Sequence, residues 1–119
     1  MSGRILQNSN IIEVRQGDSF VINLQFNKSC KEIDLSGSYI KMQVRNMYDG
    51  KIVIDKLASE VDTLKGKFAI ILTPDDTNIK VDDYYTDIQI TTADGSVNTF
   101  FPADVNKRGI FRVTEQVTR

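Results

Sequence analysis

Histidine and tryptophan are absent from this 119-residue sequence, and cysteine occurs once. Each absence removes a class of chemistry. A single cysteine, Cys30, excludes an internal disulfide, and without histidine neither a Cys/His zinc site nor a histidine-activated nucleophile can be built. Cys30 is therefore read as a semi-buried or loop thiol, because a nucleophilic one would need a depressed pKa. Long apolar runs are missing as well. No stretch approaches the ~18 apolar residues of a spanning helix, and the opening MSGRILQNSNIIEV lacks the apolar core of a secretory signal. The expectation is a chain made and kept in a cytosol, with no membrane partner.

Charge of one sign is also lacking: 15 Lys and Arg stand against 16 Asp and Glu, for a net charge of -1. Such a chain has no long-range field for gathering polyanions, so no nucleic-acid partner is expected. The nucleophile-elbow, dinucleotide and phosphate-loop patterns do not occur. Sixteen acids supply many candidate carboxylate pairs for glycoside cleavage, and that abundance carries no specificity. The acids Asp75, Asp76, Asp82, Asp83 and Asp87 crowd one segment, but their spacing is not that of a calcium loop, and turn and helix-cap duties account for most of them. Neither catalysis nor a cofactor or metal is expected.

What the sequence does contain is alternation with period two. In SFVINLQF, Phe20, Ile22, Leu24 and Phe26 form an apolar face, with Ser19, Asn23 and Gln25 opposite. SYIKMQVR turns Ile40, Met42 and Val44 inward and Lys41, Gln43 and Arg45 outward, and KFAIILT repeats the pattern with Phe68, Ile70 and Leu72. KIVIDK reads as a short edge strand whose lysines discourage pairing with another chain. Turn residues separate these runs, at Gly17-Asp18, Ser36-Gly37, Asp49-Gly50, Lys65-Gly66, Asp94-Gly95 and Lys107-Arg108-Gly109. Regular spacing of this kind indicates a two-sheet sandwich or a small barrel. One helical turn is expected near 74–79, with Thr73 as N-cap, Pro74 first and Asp76 three residues on from the cap. Residues 1–10 are expected as a flexible arm and 11–119 as one domain.

The strongest local signal is DDYYTDIQITTADGSVNTF, residues 82–100, which reads as a hairpin turning at Asp94 and Gly95. A two-residue type I′ turn there pairs Thr92 with Val97, Ile90 with Thr99 and Ile88 with Phe101 on one face, together with Tyr84 and Thr86. The other face pairs Gln89 with Phe100 and Thr91 with Asn98. On that register Phe101 is core and Phe100 is displayed beside Tyr85 and Pro102; a one-residue bulge would exchange the two rings. Tyr85, Gln89, Phe100 and Pro102 are thus the candidate interface, since an exposed apolar patch marks a protein contact. The competing reading has the loop PADVNKRG folding over Phe100. Tyr84, at the start of a penultimate strand, resembles the corner tyrosine of immunoglobulin-like sandwiches, whose hydroxyl bonds to nearby backbone. The fold expected is a single all-β, immunoglobulin-like antiparallel sandwich.

Several short elements, in this order, resemble the small tail and baseplate-associated proteins of bacteriophages and prophages, including the N-terminal modules of upper baseplate proteins. Gly17 and Asp18 stand before the first alternating strand, with Ser19 for the usual threonine, and Leu35, Ser36 and Gly37 precede the next. Tyr84, Asp87, Ile88, Gln89, Asp94 and Gly95 match the hairpin element, and Val117, Thr118 and Arg119 match the closing one. Asp82 replaces a common glycine, Thr86 a second tyrosine, and FPADVNKRG is longer than the usual link. The resemblance covers the chain from about residue 11 onward. It implies a structural role with no catalytic residue, assembly in a bacterial host cytoplasm, and association with other tail or baseplate proteins or with further copies of itself. The alternative is a carbohydrate-binding or adhesive sandwich, with Tyr39, Tyr48, Tyr85 and Phe100 as stacking platforms; the lack of tryptophan counts against it.

Overall fold

The computed structural model describes residues 3–5, 10–28, 31–102 and 106–115. Cys30, the closing Val117, Thr118 and Arg119, and the centre of the loop after Pro102 lie outside the described residues.

Among the described residues, twelve strands and one α-helical turn follow one another in order. The larger sheet contains β1 (Gly3–Ile5), β2 (Ile11–Arg15), β6 (Tyr39–Asn46), β7 (Ile52–Leu57), β10 (Asp82–Thr91), β11 (Val97–Phe101) and β12 (Gly109–Thr114). A three-stranded sheet holds β3 (Phe20–Gln25), β9 (Lys67–Leu72) and β8 (Ser59–Asp62), and β4 (Asn27–Lys28) pairs with β5 (Lys31–Glu32) as a small ribbon. Strand pairs are antiparallel except β2 with β12, which run parallel from Ile11↔Ile110 to Thr114↔Arg15. Within the segment expected as an arm, Gly3–Ile5 instead extends the sheet along β2.

The alternation read from sequence decides which side chains meet between the sheets. Ile40, Met42 and Val44 from β6, Phe68, Ile70 and Leu72 from β9, and Phe20 and Ile22 from β3 are all buried in one core, joined by Ile12, Val14, Phe111 and Val113. Each fully buried side chain of this size contributes about 1.5–3 kcal/mol over an exposed one, which outweighs any single surface pair. KIVIDK supplies most of β7, which among the described residues pairs only with β6, as its edge character predicted.

The helical turn α1 (Pro74–Thr77) forms as its residues dictate. The Thr73 hydroxyl accepts from the Asp76 amide at 3.3 Å, while the Asp76 carboxylate accepts from the Thr73 amide at 2.8 Å, a complete capping box. Lys56 on β7 holds the same carboxylate at 2.7 Å. Partial burial opposes the charged form of Asp76, but Lys56 and the two Thr73 donors prevail and hold its carboxyl below the ordinary range. On the other side the fully buried Thr77 hydroxyl donates to the Asp18 carbonyl at 2.7 Å, tying α1 to the turn between β2 and β3.

Tyr84 fills the core end with its ring, and its hydroxyl donates to the Lys80 carbonyl at 2.6 Å. Burial, with a smaller contribution from Asp82, keeps that hydroxyl protonated well into alkaline pH. This is the corner arrangement expected of an immunoglobulin-like sandwich.

Candidate functional site

The site is organised by β10, which pairs with β6 from Tyr84 to Thr91 on one edge and with two shorter strands end to end on the other. Asp82 to Thr86 pair with β12, and Ile88 to Thr91 pair with β11. The even residues Tyr84, Thr86, Ile88 and Ile90 point into the core, and the odd residues lie on the outer face.

The hairpin departs from the expected register. The Gly95 amide donates to the Thr92 carbonyl and the Thr92 amide to the Ser96 carbonyl, both at 2.9 Å, so the loop has three residues, Ala93, Asp94 and Gly95, rather than two. Gly95, at φ +90°, takes the left-handed position that closes such a loop. Asp94 fixes this choice: its carboxylate accepts from the Thr92 hydroxyl and from the Ser96 amide, and these bonds lower its pKa. As a result Thr91 faces Val97, Ile90 faces Asn98 and Gln89 faces Thr99, each one residue off the two-residue register. A bulge then restores Ile88↔Phe101, leaving Phe100 as the extra residue.

The bulge corrects the expected display of Phe100. Both rings pack against the core, and Phe100 meets Phe26 edge to face with centroids 5.0 Å apart. Neither Phe100 nor Phe101 is fully buried. Of the other residues in the candidate interface, Tyr85 and Pro102 do come together, while Gln89 lies further along the same outer face between Lys41 and Thr99.

Tyr85 and Pro102 share a cleft of about 390 Å³ at the place where β10 changes partners. Gln43 and Arg45 of β6 and Tyr85 and Asp87 of β10 form its floor; Thr99 and Pro102 wall one side and Lys107, Arg108 and Gly109 the other. The Arg45 guanidinium donates to the Gly50 carbonyl at 3.0 Å and to the Gln43 amide oxygen at 3.1 Å. Arg108 sits 4.8 Å above the Tyr85 ring, so that ring face is already covered by a cation. Gly109 lets β12 approach this closely: a Cβ there would lie 2.2 Å from the Thr86 carbonyl oxygen. Reading along single strands placed Gln43 and Arg45 outward but treated Lys107 and Arg108 as turn residues only. Their shared basic character beside an over-long loop was the available signal.

The five crowded aspartates do not converge. Asp76 belongs to α1, Asp83 accepts from Arg112 through both carboxylate oxygens at 2.9 and 3.3 Å, and Asp82 accepts from the Asp83 amide. Among the described residues no group of three metal-ligating side chains comes together. Tyr48 lies in the turn after β6 and Tyr39 at the start of that strand opposite Thr91, apart from the cleft.

These features define an immunoglobulin-like β-sandwich whose distinctive surface is a cleft on the outer face of its larger sheet. The chain belongs to the family described as the BppU N-terminal domain, matched over residues 4–99, and is thereby a phage baseplate-associated module. The match stops short of β12 and of the cleft wall at Lys107 and Arg108. No curated protein matches the chain. Among solved structures it is similar to CopC from Methylosinus trichosporium OB3b, at 14% identity over 87% of this chain and 83% of that one, with a TM-score of 0.46. A VGSC β-subunit structure from work on cell-adhesive interactions is 12% identical over 95% and 96%, with a TM-score of 0.45. Murine CRIg is 12% identical over 91% and 93%, with a TM-score of 0.40.

Proposed function

We propose that the chain is a non-enzymatic structural component of a phage or prophage baseplate that acts by packing against other tail proteins through the outer face of its larger sheet. Family membership over residues 4–99 is the observation that carries this reading. The chemistry of the chain agrees with it, because a component assembled in a host cytoplasm needs no disulfide, and its work lies in surfaces rather than in a reacting pocket. Tyr85, Gln89 and Pro102 present the docking face, and Phe100 braces it from beneath through Phe26. Further copies of the chain are candidate neighbours, since repeated contacts around a symmetry axis are how such particles close.

The test is mass spectrometry of particles purified after prophage induction in the source bacterium. Peptides of this chain in a fixed ratio to other tail proteins are the expected result. Absence from intact particles, with the chain expressed in the cell, would refute the reading.

A further inference from the structure

We infer that the cleft between β11 and β12 is a socket for a carboxylate side chain carried on an extended segment of a partner protein. The inference rests on the docking reading above and adds the chemistry of the partner. Among the described residues Arg45, Lys107 and Arg108 line the cleft with Asp87 as the one carboxylate, in a chain whose net charge is -1. Positive charge is therefore concentrated here against the balance of the molecule. The ion pairs of the same outer face lie elsewhere, at Lys41–Asp55 and Arg112–Asp83, and none joins Asp87 to the cleft's cations among the described residues.

Among the described residues, two of these cations are held by neutral groups. Arg45 is oriented by a backbone carbonyl and a side-chain amide, and Arg108 by the face of Tyr85. A guanidinium fixed by neutral partners is ready for a carboxylate without further loss of side-chain freedom. The volume of about 390 Å³ is at the small end of ligand cavities and suits one acidic side chain with its flanking backbone. Continuity with the docking face selects a polypeptide as the occupant: Tyr85 and Pro102 belong to both.

The experiment titrates the isotope-labelled full chain, followed by its amide resonances, with a capped hexapeptide of alternating Glu and Ser. The same peptide with Gln for Glu, and inorganic phosphate, are titrated in parallel. The proposal expects shifts confined to Tyr85, Asp87, Thr99 and the 107–109 segment with the Glu peptide alone, fading as salt rises. It expects the Arg45→Gln, Lys107→Gln double variant, both changes at exposed positions, to keep the wild-type spectrum elsewhere and raise Kd about tenfold. Scattered shifts, equal response to the Gln peptide or to phosphate, or indifference to the double variant would overturn it. Particle incorporation separates the two readings. A double variant built into particles at the wild-type ratio would remove the carboxylate socket and leave the baseplate role standing, whereas wild-type chain missing from particles would remove the baseplate role itself.

Discussion

Replacing Gly109 by alanine tests whether the close approach of β12 to β10 is as tight as its geometry states. The added Cβ would stand 2.2 Å from the Thr86 carbonyl oxygen, 3.2 Å from Phe101 Cε2 and 3.2 Å from Pro102 Cδ. Contacts below 3.0 Å are not sustained, so the two strands must part by about 1 Å, and the obstacle is backbone that cannot rotate away. Parting stretches the ladder around Thr86↔Gly109. One or two ladder bonds weakened at ~1 kcal/mol each, added to an overpacking cost of ~1–3 kcal/mol, give a loss of about 2–5 kcal/mol. With a urea slope of ~2 kcal/mol/M for a domain of this size, the midpoint should fall by about 1–2.5 M, and Tm by about 10 °C or more. Urea melts followed by tyrosine fluorescence and by far-ultraviolet circular dichroism make the measurement. A variant that melts within about 0.3 M of wild type, with an unchanged slope, would refute the packing of β12 on β10 described above.

Two further outcomes are expected. Asp76→Asn should cost about 1 kcal/mol at pH 7 through the lost Lys56 pair and weakened cap. Because the folded carboxyl is held below its unfolded value of ~3.9, that contribution is present above the unfolded pKa and is lost as pH falls through the folded one. Wild type and variant should therefore begin to converge in thermal melts as pH falls below about 4, and a constant difference from pH 7 to pH 3 would contradict the assignment. A double-mutant cycle with Phe26→Leu and Phe100→Leu should give a coupling of about 0.5–1.5 kcal/mol for the edge-to-face pair, read from urea midpoints; additive single losses would return Phe100 to an outward position.

Period-two alternation made the buried faces of β3, β6 and β9 legible, because a one-residue slip would turn Ile40, Met42 and Val44 out to water at once. The Thr73-Pro74-Asp76 cap and the Tyr84 hydroxyl were readable because their partners are within four residues. The register at Phe100 was not. It depends on whether the Asp94-Gly95 loop holds two residues or three, and that is settled by side-chain bonds from Asp94 to Thr92 and Ser96. The cleft was hidden for a different reason: Arg45 and Tyr85 on two strands and Arg108 in the loop before β12 converge, and no local pattern encodes that meeting.

The place of β12 also sets an order of events during synthesis. It is an interior strand, between β2 and β10, and Thr114 bonds across to Val14, 100 residues away. Until the ribosome has delivered residue 114, β2 has no β12 to pair with and the inner edge of β10 is open beside Asp82 to Thr86. Long-range pairing of this kind is slow to form, and translation proceeds at only ~5–20 residues per second. The nascent chain therefore cannot complete the outer face or the cleft until β12 has emerged and paired.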